Sequence, residues 1–322
     1  MLGLPETRPV DPVLTNFMLD FSQAETDFVA DLVFPFVQTP GDTGTYYIPD
    51  AKGTLRAEEA LWGFNVGANR RDLRYTSAAF KARKFGFELL VTDDDRRNWM
   101  GGMSLDQQAA NQNAQDILLA REVRAEGIVD AGSYTTSAAG NTWTGTSANP
   151  RSNVNAAQAI IHKKIGKKGN LVIIPGAVWD SLTGTQVAGT GGAQVLEAIK
   201  YTKGGLGSQL TAELMAQYFN VNKVGPGVAV QQDPTKHESS ASPTVGLPET
   251  GIYIWDQTEV YVMYCDPTPA QKSTNYGASF GNEKYAADSY RDNRVQGDWI
   301  RGWQVLNETE VCTASIVVIT GV

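Results

Sequence analysis

Two strand-like runs near the start of this chain face each other across an unusually long interval. TGTYYI begins at Thr43, and SAAFKARKFGFELLV closes at Val91. Between them lie GTLRAEEALWGFNVGAN and a charged stretch with Arg70, Arg71, Asp72 and Arg74. Connections in compact domains usually run to two to six residues. A hairpin-like excursion over 43–92 buries little against its own chain, so a neighbouring subunit is the natural cover. The returning run alternates in two phases. Ala78, Phe80 and Ala82 share one parity; Phe85, Phe87, Leu89 and Val91 share the other. A parity change inside a strand predicts a bulge or bend.

The segment before the excursion, 1–42, reads as an arm. Pro5, Pro9, Pro12, Pro35 and Pro40 interrupt it. Phe17, Phe21, Phe28 and Leu32 lie at helical spacing and predict one short helix within it. After the excursion comes the clearest helix, 104–131. Ser104 with Gln107 forms a capping box, and Gly132 is the expected left-handed stop. At 100° per residue, Ala110, Ala114, Ile117, Leu118, Ala125, Ile128 and Val129 share a face. Asp116, Glu122, Glu126 and Asp130 share the opposite one. Its length, roughly 40 Å at 1.5 Å per residue, suits a backbone on which a flat domain is laid.

Further on, 133–153 predicts a loop with short strands, and Asn155 with Gln158 predicts a helix running to about Lys164. GNLVIIPGAVWDSL predicts a buried strand and a short helix, and TAELMAQYFNV an amphipathic helix followed by strand VGPGVAV. IYIWDQTEVYVMYC predicts two strands with a turn at Asp256–Gln257, and the C-terminal stretch two more. The pattern is α+β with non-local strand pairing.

Charge and motifs narrow the function. There are 35 Asp and Glu against 27 Lys and Arg, a net charge of −8, which argues against a protein that grips nucleic-acid phosphates. Two cysteines, Cys265 and Cys312, are not a disulfide framework. Two histidines, His162 and His237, cannot supply a multi-histidine metal site. MLGLPETRPVDP lacks the pattern of a signal peptide, and no run of about 20 apolar residues occurs, so a soluble cytosolic product without membrane contact is expected. LPETG at Leu247–Gly251 matches a sortase signal, but strands follow it rather than an apolar anchor and a cationic tail. Asp93, Asp94 and Asp95 could hold a divalent cation; Arg96 and Arg97 beside them favour an ion-pair turn. GTGG at Gly189–Gly192 and GGLG at Gly204–Gly207 lack the context of a phosphate loop. Lys163, Lys164, Lys167 and Lys168 beside His162 read as a solvated face rather than a nucleic-acid patch. No G-x-S-x-G surrounds any serine; a Cys–His pair, which is spatial rather than sequential, stays open. No catalytic, cofactor-binding or metal-binding residue is therefore assigned, and an enzyme is not expected.

The ordered set of segments resembles the tailed-bacteriophage major capsid protein family. The likeness runs through ADLVFPFVQTP…GTYYIPD at Ala30–Asp50, LRAEEALWG at Leu55–Gly63 and FGFELLVTDDDRRN at Phe85–Asn98. It continues through GNLVIIPGAVWDSL at Gly169–Leu182 and IYIWDQTEVYVMYCDP at Ile252–Pro267. The resemblance implies the coat fold: an N-terminal arm at 1–42, an E-loop hairpin at 43–92, and a P-domain at 93–154 with its spine helix. An A-domain at 155–285 and C-terminal strands at 286–322 returning to the P-domain complete it. It implies self-assembly into hexamers and pentamers of an icosahedral head around double-stranded DNA. Expected partners are a portal protein and either a separate scaffolding protein or none, with a decoration protein left open, and weak non-specific contact to the DNA. The expected location is the virion, after assembly in the host bacterial cytoplasm. Arg56, Glu58, Glu59, Arg70, Arg71, Asp72 and Arg74 become candidate intersubunit contacts around the hairpin. No local motif marks a cross-linking lysine among Lys52, Lys81 and Lys84. An encapsulin-like cargo shell is the alternative on the same fold, and an α+β enzyme the alternative of another class.

Overall fold

The computed structural model describes residues 10–24, 27–50, 55, 75–143, 148–183, 211–232, 251–269 and 274–322. The arm holds two helices rather than the single one expected: α1 (Pro12–Ala24) and a single turn, α2 (Ala30–Val33). β1 (Phe36–Gln38) follows, and then β2 (Thr43–Pro49), which pairs antiparallel with β3 (Tyr75–Lys81) from Thr43 opposite Lys81 to Pro49 opposite Tyr75. β4 (Arg83–Thr92) leaves that ladder for another. The parity change read in the sequence is the handover at Ala82, between the last residue paired with β2 and the first paired in the next sheet. α3 (Asp93–Asn98) then leads to the long helix, α4 (Leu105–Asp130).

The Ser104 hydroxyl caps α4 by accepting from Gln107 N at 3.3 Å. Its end departs from expectation: Ala131 is right-handed, and Gly132 is not among the positive-φ glycines. After β5 (Thr135–Ala138), α5 (Pro150–Ile165) begins five residues before the expected Asn155. Asn149 is the cap, its Oδ1 accepting from Ser152 N at 3.2 Å, and Pro150 fills the first turn, where no N–H is needed. Gly166, at φ 73°, supplies the left-handed stop.

Two sheets organise the rest. β11 (Gly277–Asp292) and β12 (Gly297–Glu310) form a long antiparallel pair, flanked by β1 parallel to β11 and β4 antiparallel to β12. β11 runs through position 285 without a break. It is bulged on either side of Glu283, which scrambles the alternation that would have marked it in the sequence. A Cβ at Gly281 would overlap the Val305 carbonyl oxygen, so only glycine lets the strands close there. α1 and α4 cover one face of this sheet, enclosing Met18, Val91, Ala110, Ala114, Ile117 and Ile300.

The second sheet has the order β5–β13–β10–β6–β7, with β6 (Leu171–Pro175), β7 (Lys223–Gly227), β10 (Glu259–Met263) and β13 (Ile316–Thr320). All five residues of β6 are buried, because both faces of the sheet are covered. Val154, Ile161 and Ile165 of α5 pack on Val172, Ile174, Val260 and Val262. On the other face Ala125 and Val129 of α4, with Val33 and Phe34, meet Ile173, Tyr261, Met263 and Val318. α6 (Gly176–Thr183), α7 (Ala212–Phe219) and a small ladder of β8 (Val230–Gln232) with β9 (Gly251–Tyr253) flank it. The expected turn at Asp256–Gln257 does join β9 to β10.

Asn149→Ala should lower unfolding stability by about 1 kcal/mol, as loss of a helix cap does, with the fold unchanged. Urea titration against the parent chain checks this.

Candidate assembly site

α4 carries two adjacent charged residues into the interior, Arg121 and Glu122, which are 1% and 0% exposed. Helical periodicity puts Glu122 on the polar face; the fold buries it. Its carboxylate accepts from Val29 N at 3.1 Å, Ala30 N at 2.8 Å and the Trp255 indole Nε1 at 2.6 Å. The first two donors are the free N–H groups at the start of α2, so Glu122 caps that turn from another element. The third fixes the turn between β9 and β10. Burial pushes the Glu122 pKa up, and the bonds from Trp255, Val29 and Ala30 only partly offset this.

Arg121 points to the other side. Its guanidinium pairs with Asp31, donates to Phe34 O at 3.0 Å and Ser279 Oγ at 3.1 Å, and places Nε 3.5 Å from Glu308 Oε1. Burial alone would lower the Arg121 pKa; Asp31 and Glu308 more than reverse that. Asp31 feels burial in the upward direction, but Arg121 and Lys284 hold it below the usual carboxylate range. One turn on, Arg124 lies 3.2 Å from Glu308 and stacks on the Phe85 ring. The pair thus ties the arm, the long helix, the β11–β12 pair and the turn that leads into β10 to one point.

The paired base of the excursion is clamped by aromatic rings. Phe280 on β11 lies between Tyr46 and Phe80, at centroid distances of 5.2 and 5.0 Å, both stacked. All seven candidate contacts further out (Arg56, Glu58, Glu59, Arg70, Arg71, Asp72 and Arg74) lie outside the described residues. So do His237, both glycine-rich segments and residues 247–250 of LPETG.

Apolar surface gathers where α3 turns into α4. Met100 is 99% exposed and Trp99 42%, with Met103 and Val295 beside them at the same end of the sheet. The ion-pair turn expected from the aspartate run sits there. Arg96 bridges Asp106 and Asp298, while Arg291 grips Asp93 through two bonds. Among the described residues, no group of three or more His, Cys, Asp or Glu is arranged to hold a metal ion. Cys265 is buried with Sγ 3.6 Å from Val33 O, and desolvation raises its thiol pKa, the reverse of what a nucleophile needs. No helix among the described residues is long and apolar enough to cross a membrane.

Comparison with known proteins matches this geometry to a class. No family profile matches the chain. Over 238 residues it is 23% identical to a protein described as the major capsid protein of Burkholderia phage BcepMu, covering 71% of this chain and 72% of that one. A phage-related protein from Bordetella bronchiseptica RB50 superposes with a TM-score of 0.71, at 16% identity and 98% coverage of both chains. A virus-like particle from Pyrococcus furiosus gives 0.54 at 10% identity, covering 95% of this chain and 97% of that one. A chain from Microbacterium phage Oxtober96 gives 0.53 at 9%, covering 99% and 96%. The fold is that of the coat subunits of tailed-phage capsids, a mixed α+β fold, as the sequence resemblance implied.

Glu122→Gln should cost about 2 kcal/mol, because an amide nitrogen would face N–H donors that now find carboxylate oxygens. Chemical denaturation of dispersed subunits measures it. Asp31 has a lowered folded pKa, so its stabilisation is present above the unfolded value of about 3.9 and is lost as pH falls through the folded one. Asp31→Asn should therefore flatten the acid limb of a stability–pH profile; an unchanged slope below about pH 4 would contradict the assignment.

Proposed function

We propose that this chain is the major capsid protein of a tailed phage, a structural subunit that assembles into hexamers and pentamers of an icosahedral head around double-stranded DNA. The observation that carries the reading is agreement between two independent likenesses. The sequence relative over 71% of the chain is described as a major capsid protein, and the fold over 98% of the chain matches a phage-related protein. The described geometry fits it. Surface that a lone subunit leaves uncovered, at Met100, Trp99 and Tyr47 of β2, is what an assembling subunit would bury against its neighbours.

On this reading 1–42 is the arm, 43–92 the E-loop, 93–154 the P-domain, 155–285 the A-domain and 286–322 the returning strands. β11 is then the continuous link between the last two units. The seven charged residues of the excursion would pair across subunits, each pair weak alone and the shell strong through many contacts. A net charge of −8 suits a container that encloses DNA without gripping it. Portal, scaffolding and decoration proteins are the expected further partners, and the virion the expected location. The phage-named relative favours this over the encapsulin-like reading, which shares the fold and differs in content.

Negative-stain microscopy of the expressed chain should show uniform shells, and nucleic acid rather than protein cargo should fill particles from infected cells. Deleting 53–68 should leave folded, soluble subunits and no shells. Normal shells from that deletion would refute the role given to the excursion, and a monomeric parent at high concentration would refute the function.

A further inference from the structure

The five-stranded sheet has two oppositely charged poles. β10 runs antiparallel to β6, with Met263 opposite Leu171 and Tyr261 opposite Ile173, and antiparallel to β13, with Glu259 opposite Thr320. The 163–168 segment therefore lies at the end of the sheet where β6 begins, and Glu259 lies at the other end. Two contacts fix the first placement. Lys167 Nζ is 3.2 Å from the hydroxyl of Tyr264, just beyond the end of β10, and Lys164 bonds Thr135 at the start of β5. Lys163, Lys167 and Lys168 are exposed there beside His162. None of the four lysines forms an ion pair with a carboxylate among the described residues.

At the opposite end Glu259 and Asp256 flank the turn that enters β10. Glu126 and Asp130, one helical turn apart on α4, lie close enough that the four carboxylates repel one another. None of the four has a cationic partner among the described residues. Trp255, held by Glu122, packs in the same core as Ala125 and Val129 and so fixes the turn against α4. The lysines sit on the face covered by α5, the carboxylates on the face covered by α4. Five residues of β10 alone separate the poles by about 13 Å. Two unpaired charge clusters of opposite sign at opposite ends and faces of one rigid layer cannot meet within a subunit. They can meet between copies, and such a contact is heterologous, of the kind that closes into a ring.

We propose that the lysine pole, Lys163, Lys167 and Lys168, docks against the acidic pole, Glu126, Asp130 and Glu259, of the next copy of this chain around a ring. The occupant is a second copy because the complementary surface is present on the chain itself. This rests on the capsid reading and adds to it the contact that orders subunits head to tail. Like charges brought face to face at such a contact oppose association, and charge complementarity sets both register and salt dependence.

The test is charge exchange in the full-length chain. Lys163→Glu, Lys167→Glu and Lys168→Glu together should lower shell yield roughly tenfold or more, as should Glu126→Lys, Asp130→Lys and Glu259→Lys together. Circular dichroism and melting curves should match the parent, since these side chains are exposed or half-buried. Combining all six substitutions should restore rings and shells, read by sedimentation and microscopy. The inference is overturned if the six-fold variant assembles no better than either triple variant. It is also overturned if both triple variants assemble like the parent, or if only the lysine set matters, which would assign that pole to another anion. A parent chain that forms no shells would instead sink the capsid reading.

Discussion

The Arg121–Glu122 pair on the long helix is the constraint on which the rest of the molecule hangs. Two opposite charges side by side on a helix point to different sides. Here one side is the start of α2 and the Trp255 turn, the other the arm carbonyl of Phe34 and the long β11–β12 pair. Burying a charge is costly unless it is paired and fully hydrogen-bonded. Each of these groups finds its partners only when the arm, the β11–β12 pair, the Trp255 turn and the helix stand together. The pair contributes register more than raw stability: a shift of one helical residue would leave both charges unpaired in the interior.

That register decides where the exposed surface goes. With the arm locked along β11, Phe280 is free to hold Tyr46 and Phe80, and the base of the excursion leaves the body at a fixed place. With the helix locked across the second sheet, the 99–104 connection at its start holds Trp99 and Met100 outward, and its last turns bring Glu126 and Asp130 to the edge of the 256–259 turn. A subunit that must meet its neighbours at several points needs those points rigidly related, and one buried polar node supplies that relation.

Much of the fold was legible in the chain because it rests on local rules. The 104–131 period, the Ser104 cap, the all-apolar LVIIP strand and the two-phase alternation around Ala82 each correspond to an element or a junction. The misses share one cause, competition from tertiary partners. Asn149, not Asn155, caps α5 because Pro150 can open a helix there. β11 leaves no alternating pattern in the sequence because its bulges break the alternation that reveals a strand. Periodicity puts Glu122 on the face opposite the apolar one, since it registers a face but not a partner ninety-three residues away.

Length, alternation and charge alone pointed to a neighbour as cover for the outer part of the excursion, and a net charge of −8 turns the chain away from phosphate gripping. The order of arm, hairpin, helix and strands also carried the family likeness without any coordinates. The fold alone decided which charges are buried and which are left unmatched. Hydrophobic periodicity is a property of neighbouring residues. The pairing of Glu122 with Ala30, or the separation of Lys167 from Glu259 across one sheet, depends on strand register and helix docking, which only long-range packing sets.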